Sequence, residues 1–293
     1  MTLTAPMRCS ALAEQLGEPL AGTVDQRRRW LLLEDRSAWG TDAVADMFGA
    51  EVVANAKRLG VRLLLVRRRE GDPSDDTVRR AILVDTERAE MAVCAVSGPA
   101  DFDVEALAAM PLEDFGARMT DPIFLVCTNG KRDACCALRG RALINALAPD
   151  HAERIWETTH LGGHRFAGNL VCLPDGIVYG RVTAADGPRL ADAYLTGSLD
   201  AALLRGRSAW PAPAQVAEQD LRLRQELSGL DQVRLERVAV DGRQASVTLF
   251  GGGTEHSYDL VAERLEPPRP TSCRADEVEQ PIHWRVVSRW VGG

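Results

Sequence analysis

The stretch Ile123-Phe124-Leu125-Val126-Cys127-Thr128-Asn129-Gly130-Lys131-Arg132-Asp133-Ala134-Cys135-Cys136 decides the fold. Its apolar run reads as a buried strand, the polar residues as a loop, and residues 136–147 as a helix. Strands are expected near 154–157, 168–173 and 177–182, the last two joined by the turn Pro174-Asp175-Gly176. The same order stands roughly ninety residues earlier, as in a repeat: a strand at 31–33, a helix over 41–59 closed by Gly60, and strands at 61–66 and 81–84. The expected class is therefore α/β with an internal duplication. Aligning Leu31-Leu32-Leu33 with Phe124-Leu125-Val126 sets Glu34 at the place of Cys127, and matching Arg62 to Arg154 sets Arg68 and Asp72 at the places of His160 and His164. The first copy is expected to be degenerate and to lack metal ligands.

Further on, a helix is expected from Pro188 to Gly197, then a linker over 208–214. A helix over 215–227, ended by Gly229, leads to an alternating β-meander at 233–240, 245–250 and 256–261, with turns at Asp241-Gly242 and 251–253. The boundaries divide the chain into 1–115, 116–207 and 208–293, the last a small α+β extension of structural character.

A chain of 293 residues with net charge −7 has no basic footprint for a phosphate backbone, so nucleic acid is not expected as a partner. Neither a secretory apolar segment nor a run long enough to span a membrane stands out, which makes a cytoplasmic location the expectation. Seven cysteines, odd in number and partly grouped, suggest metal or redox chemistry more than a disulfide framework. Cys9, Cys94, Cys172 and Cys273 stand apart in sequence and are read as inert, buried thiols.

Chemistry concentrates in two places. Cys127 closes a strand, and Cys135 and Cys136 lie at a helix start beside Lys131 and Arg132, where thiolate is favoured. About thirty residues on, in the handful of residues Thr159-His160-Leu161-Gly162-Gly163-His164, two imidazoles flank a glycine pair that lets backbone wrap closely round a ligand. Structural zinc sites space their cysteines more tightly than Cys127 and Cys136. An iron–sulfur centre fits better, because each local pair can hold one iron of a [2Fe-2S] cluster, with Cys135 or Cys136 as the second thiolate.

The run from Cys127 to Cys136, followed by His160 to Asn169 and by Leu173 to Gly180, resembles the sucrase/ferredoxin-like family, and Cys9-Ser10-Ala11-Leu12-Ala13 and 30–34 resemble its bacterial members. That resemblance implies a thioredoxin-like ferredoxin unit and a [2Fe-2S] cluster on a Cys-x8-Cys and a His-x3-His pair, carried here by Cys127, Cys136, His160 and His164. It selects Cys136 over Cys135, and makes 1–115 a thioredoxin-like copy without ligands. Two ferric ions, two sulfides and two thiolates sum to zero, so the potential is expected well above the roughly −400 mV of plant-type ferredoxins. Arg132, Asp133 and Arg165 are expected around the cofactor, the arginines stabilising its reduced form and Asp133 orienting Arg132 or receiving a ligand N–H. The expected role is soluble electron transfer, coupled to protons through the free imidazole nitrogens, with a redox protein as reductase or acceptor. No carboxylate pair is placed for sucrase chemistry. The alternatives are a thioredoxin-like thiol oxidoreductase, disfavoured by the missing Cys-x-x-Cys, and a zinc-stabilised binding module.

Overall fold

Strands in this chain arise where apolar and β-branched residues run together. In the computed structural model, which describes residues 7–68, 79–275 and 277–292, the elements follow in this order. Helix α1 (Cys9–Gln15) precedes β1 (Arg29–Glu34), α2 (Ala43–Phe48), α3 (Ala50–Arg58), β2 (Val61–Arg67), β3 (Arg79–Asp85) and β4 (Glu90–Val96). Then come α4 (Val104–Ala109), α5 (Leu112–Phe115), β5 (Ala117–Met119), β6 (Ile123–Cys127), α6 (Ala134–His151), β7 (Ile155–Thr158), β8 (Leu170–Leu173) and β9 (Ile177–Tyr179). The chain ends with α7 (Asp186–Leu195), β10 (Leu204–Arg207), α8 (Ala212–Gln225), β11 (Val233–Asp241), β12 (Gln244–Gly251), β13 (Thr254–Arg264) and β14 (Ile282–Val291).

The architecture is mixed α/β, with one ten-stranded sheet in the order β10-β9-β8-β6-β7-β2-β1-β3-β4-β5 and a separate four-stranded sheet β11-β12-β13-β14. In each half of the large sheet the first two strands are parallel and joined through helix, as β1 with β2 and β6 with β7. The third strand of each half, β3 or β8, lies antiparallel on the other side of the first. The halves meet where β2 and β7 pair antiparallel through Val66 with Thr158 and Arg67 with Glu157. β1 and β6 are buried along their whole length, which is why they read as continuous apolar runs and not as alternation. Leu31 and Leu33 face a core under α2 to α5, whereas Trp30 and Leu32 join Leu125, Cys127 and Trp156 on the opposite face.

Several boundaries differ from the expectations. The helix expected over 41–59 is two helices, because Gly49 adopts φ +87° and ends α2. Helix α6 starts at Ala134, two residues early, because the Asp133 carboxylate caps it by accepting the Cys135 N–H at 2.8 Å. Residues 208–214 are no linker. Ser208 is fully buried and its hydroxyl donates to Thr86 Oγ1 at 3.1 Å, while the buried Gln215 amide donates to the carbonyls of Val24, Arg207 and Trp210. Buried Glu218 accepts from Arg207 and Arg222, each at 2.9 Å, and so locks α8 to β10. The expected three-stranded meander has a fourth strand, β14. Where Cys127 ends β6, Glu34 ends β1 and pairs with Arg80 and Arg36. Arg68 lies over Trp156 and pairs with Glu153, and Asp72 lies outside the described residues. Among the described residues no helix is long and apolar enough to cross a membrane.

Candidate metal centre

Two loops at the same end of the second half carry the four expected ligands. Cys127 closes β6, and the next residues turn at Asn129, whose carbonyl accepts the N–H groups of Arg132 and Asp133. Asp133 then starts α6, placing Cys135 and Cys136 in its first turn. Helix α6 can lie against the end of β6 only because residue 140 is glycine, since a Cβ there would stand 2.2 Å from the Cys127 carbonyl oxygen.

The second loop follows β7. Thr159 ties it to β2 by donating its N–H to Leu65 O at 3.0 Å and by accepting the Leu65 N–H on Oγ1 at 3.1 Å. Gly162 and Gly163 take φ values of +83° and +70°, a pair of left-handed residues that folds His164 back over His160. The two rings stack with centroids 3.7 Å apart and planes 10° from parallel. Buried Arg205 holds this turn by donating to Gly162 O, to Asn169 Oδ1 and to both oxygens of Thr23, while Asn169 donates to Gly163 O. Arg62 donates to His160 O at 3.0 Å. Neither Arg62 nor Arg205 was expected near the site. They come from β2 and β10, and no local spacing connects them to the histidines.

The ligand atoms of Cys127, Cys136 and His160 lie within 4.8 Å of one another, and His164 Nδ1 is 3.7 Å from Cys136 Sγ. All four expected ligands are thus brought together. Cys135 points the other way, its Sγ lying 3.7 Å from Cys9 Sγ and 3.2 Å from Cys273 Sγ. Cys9 and Cys273, expected to be inert, buried thiols, are instead neighbours at 3.5 Å, with Cys273 exposed, whereas Cys172 is buried in β8 and Cys94 lies in β4. The Cys127 thiol is held below its ordinary value by a hydrogen bond from Cys136, by the N–H groups of Leu161 and Asn129 and by the Arg62 charge, against burial. The Cys136 thiol, donor in that bond, is raised by it and by burial. Burial, together with the neighbouring His164 and Arg62, pushes His160 down to about 2; burial pushes His164 down to about 4 against the pull of Asp133. Both imidazoles are consequently neutral at pH 7, the state in which their lone pairs bind metal.

The three residues expected around a cofactor have defined partners. Arg132 pairs with Asp42, and Arg165 donates to buried Glu18 at 2.6 Å. Asp133 does not orient Arg132; it caps α6 and sits 3.9 Å from His164 Nδ1, beyond hydrogen-bond reach. A cleft of about 370 Å³ reaches the edge of His160 and is lined by Asp25, Arg27, Asp42, Lys57 and Arg62 among others.

A family model described as sucrase/ferredoxin-like matches residues 20–206. The chain is 32% identical over 84 residues to altered inheritance of mitochondria protein 32 of Meyerozyma guilliermondii, a stretch covering 25% of this chain and 30% of that protein. It is 35% identical over 99 residues to the protein of the same name in Eremothecium gossypii, covering 29% and 32%. The chain thus spans about a third of the length of these curated relatives. No solved structure matches it.

Proposed function

Because the chain belongs to the sucrase/ferredoxin-like family, we propose that Cys127, Cys136, His160 and His164 hold one [2Fe-2S] cluster and that the protein carries single electrons between redox partners. The observation that carries this reading is that two loops gather Cys127, Cys136 and His160 within 4.8 Å of one another and set His164, stacked on His160, against Cys136, with both imidazoles neutral. The donor set suits the group: soft thiolates on one side, nitrogen ligands on the other, and N–H donors aimed at the Cys127 sulfur. Bound there, the cluster supplies a one-electron couple.

The chain's own groups do the rest. The glycine turn, Arg205 and Asn169 fix the two rings, and the apolar wall of Leu125, Trp156 and Leu161 keeps water from the sulfurs. Arg62, Arg132 and Arg165 supply positive charge that favours the reduced state. Each ligating imidazole keeps a proton on its second nitrogen, which couples electron uptake to pH. The cleft beside His160, with both signs of charge on its rim, is the docking face for a reductase or acceptor. The repeated strand order of the two halves supports a duplicated thioredoxin-like unit whose first copy is scaffold. The protein works in the cytoplasm on this reading.

Anaerobic purification tests the proposal. A red-brown protein with about two irons and two sulfides per chain is expected, with an electron paramagnetic resonance signal on one-electron reduction. A folded, colourless chain that takes up no iron on reconstitution would refute it.

A further inference from the structure

A second group of side chains able to bind metal gathers at the start of α6, with Asp133 standing between it and His164. Cys9 opens α1, Asp133 caps α6, Cys135 sits in the first turn of α6, and Cys273 lies between β13 and β14. The first three are buried, at 2%, 0% and 1% exposure, and Cys273 forms the exposed rim. The three sulfurs form a triangle with sides of 3.2, 3.5 and 3.7 Å, and Asp133 Oδ2 stands 3.8 Å from Cys9 Sγ. The ligand atoms of the four residues all lie within 4.8 Å of one another.

We propose that Cys9, Cys135, Cys273 and Asp133 form a structural site for one zinc ion. Zinc bonds thiolate at about 2.3 Å and prefers a tetrahedron, which sets sulfurs roughly 3.8 Å apart. Two sides of the observed triangle lie within about 0.3 Å of that value, and the Cys135–Cys273 side must open by about 0.6 Å to meet it. Hydrogen bonds between thiols are weak and give no reason to gather three of them. Asp133 is prepared as the fourth ligand. Of the roughly four lone-pair directions of a carboxylate, three are taken by Cys135 N–H, Cys273 N–H and the Ser272 hydroxyl, which fix its plane. The remaining direction is on Oδ1, since Oδ2 accepts both Cys273 N–H and the Ser272 hydroxyl, and it is the one left for the ion. Ser10 donates its hydroxyl to Cys135 Sγ at 3.3 Å, a contact that supports a thiolate. Magnesium and calcium demand oxygen ligands, whereas three sulfurs and one oxygen in a closed, four-coordinate site suit zinc.

Such an ion fastens α1 and the β13–β14 connection to the start of α6, joining segments 126 and 138 residues apart in sequence. It does so one residue before Cys136. The inference is independent of the iron–sulfur proposal, since the two sites share no ligand.

Elemental analysis of the full chain grown with zinc, after dialysis against metal-free buffer, provides the test. About one zinc per chain is expected. It should persist in Cys127→Ala, which loses the iron site, and vanish from the double variant Cys9→Ser/Cys273→Ser. Because that variant could also misfold, cobalt(II) is offered to the metal-stripped wild type. Thiolate-to-cobalt charge-transfer bands and protection of three thiols from a thiol-titrating reagent are expected. Zinc content unchanged in a folded double variant would overturn the proposal. So would a wild-type chain that binds neither metal, or one lighter by two hydrogens from a disulfide among the three cysteines.

Discussion

Gly140→Ala is the change whose outcome the geometry fixes most sharply. Cys136 and Gly140 are four residues apart, on the same face of α6, and both face the end of β6. The added Cβ would lie 2.2 Å from the Cys127 carbonyl oxygen and 3.2 Å from its carbon. A carbon–oxygen contact needs about 3.3 Å, so the helix must retreat from the strand by roughly 1 Å. Alanine gains about 1 kcal/mol of helix propensity over glycine. Overpacking against backbone costs about 1–3 kcal/mol, so the net effect is a loss of no more than about 2 kcal/mol. The larger effect falls on the proposed metal centre. Ligand distances must hold to about 0.2 Å, and a 1 Å retreat carries Cys136 away from Cys127. Urea denaturation should show the modest destabilisation, while iron content after anaerobic reconstitution should collapse. Ala142→Gly, on the exposed face of the same helix, should cost about 1 kcal/mol through propensity and retain full iron. If Gly140→Ala keeps its full iron and an unchanged visible spectrum, the packing account of the site is wrong.

Replacing His160 by Cys should keep a [2Fe-2S] spectrum but lower the potential, because a thiolate adds negative charge; an unchanged potential by voltammetry would remove His160 from the ligand set. Glu218→Ala should destabilise the chain by about 3–5 kcal/mol, since it strands the buried Arg207 and Arg222; a loss under about 1 kcal/mol would mean that water reaches them. In the metal-free chain His160 and His164 have folded values near 2 and 4, below the ordinary 6.5, so the unfolded chain binds more protons as pH falls. Stability should therefore be level above about pH 7 and fall below about 6.5, by up to ~1.4 kcal/mol per pH unit for each imidazole, until His164 titrates near 4. Urea midpoints that stay flat between about pH 7 and 5 would contradict this.

What was legible in the sequence was local. The apolar runs at 31–33 and 123–126 announced strands buried on both faces, and the His160-Leu161-Gly162-Gly163-His164 turn could be read because both imidazoles and the glycines that bend the chain lie within five residues. The meander was legible by alternation, but β14 was not, since most of its residues are exposed and its apolar side chains do not sort onto one face. The break at Gly49 was hidden because apolar periodicity continues across it. Residues 208–214 read as a linker from their alanines and prolines, while the contacts that pack them come from Thr86, Val24 and α8. Distance in sequence concealed most of the surroundings of the candidate metal centre. Arg205 approaches from β10, and Cys9 and Cys273 meet Cys135 from opposite ends of the chain, so composition alone suggested inert thiols.

The seam between β2 and β7 bears on how the protein can be dissected. It is short, yet it supplies the only sheet neighbour that β7 has on that side among the described residues. Cutting the chain to its ligand-bearing half would turn β7 into an open edge whose unpaired N–H and C=O groups invite other chains to add to it. The same cut removes Leu65, to which Thr159 is bonded, and Arg62, which grips the carbonyl of His160. A fragment beginning near residue 116 would therefore aggregate and mis-set its histidines. The half that carries none of the four expected ligands is a splint that cannot be trimmed away to leave a minimal ligand-bearing unit.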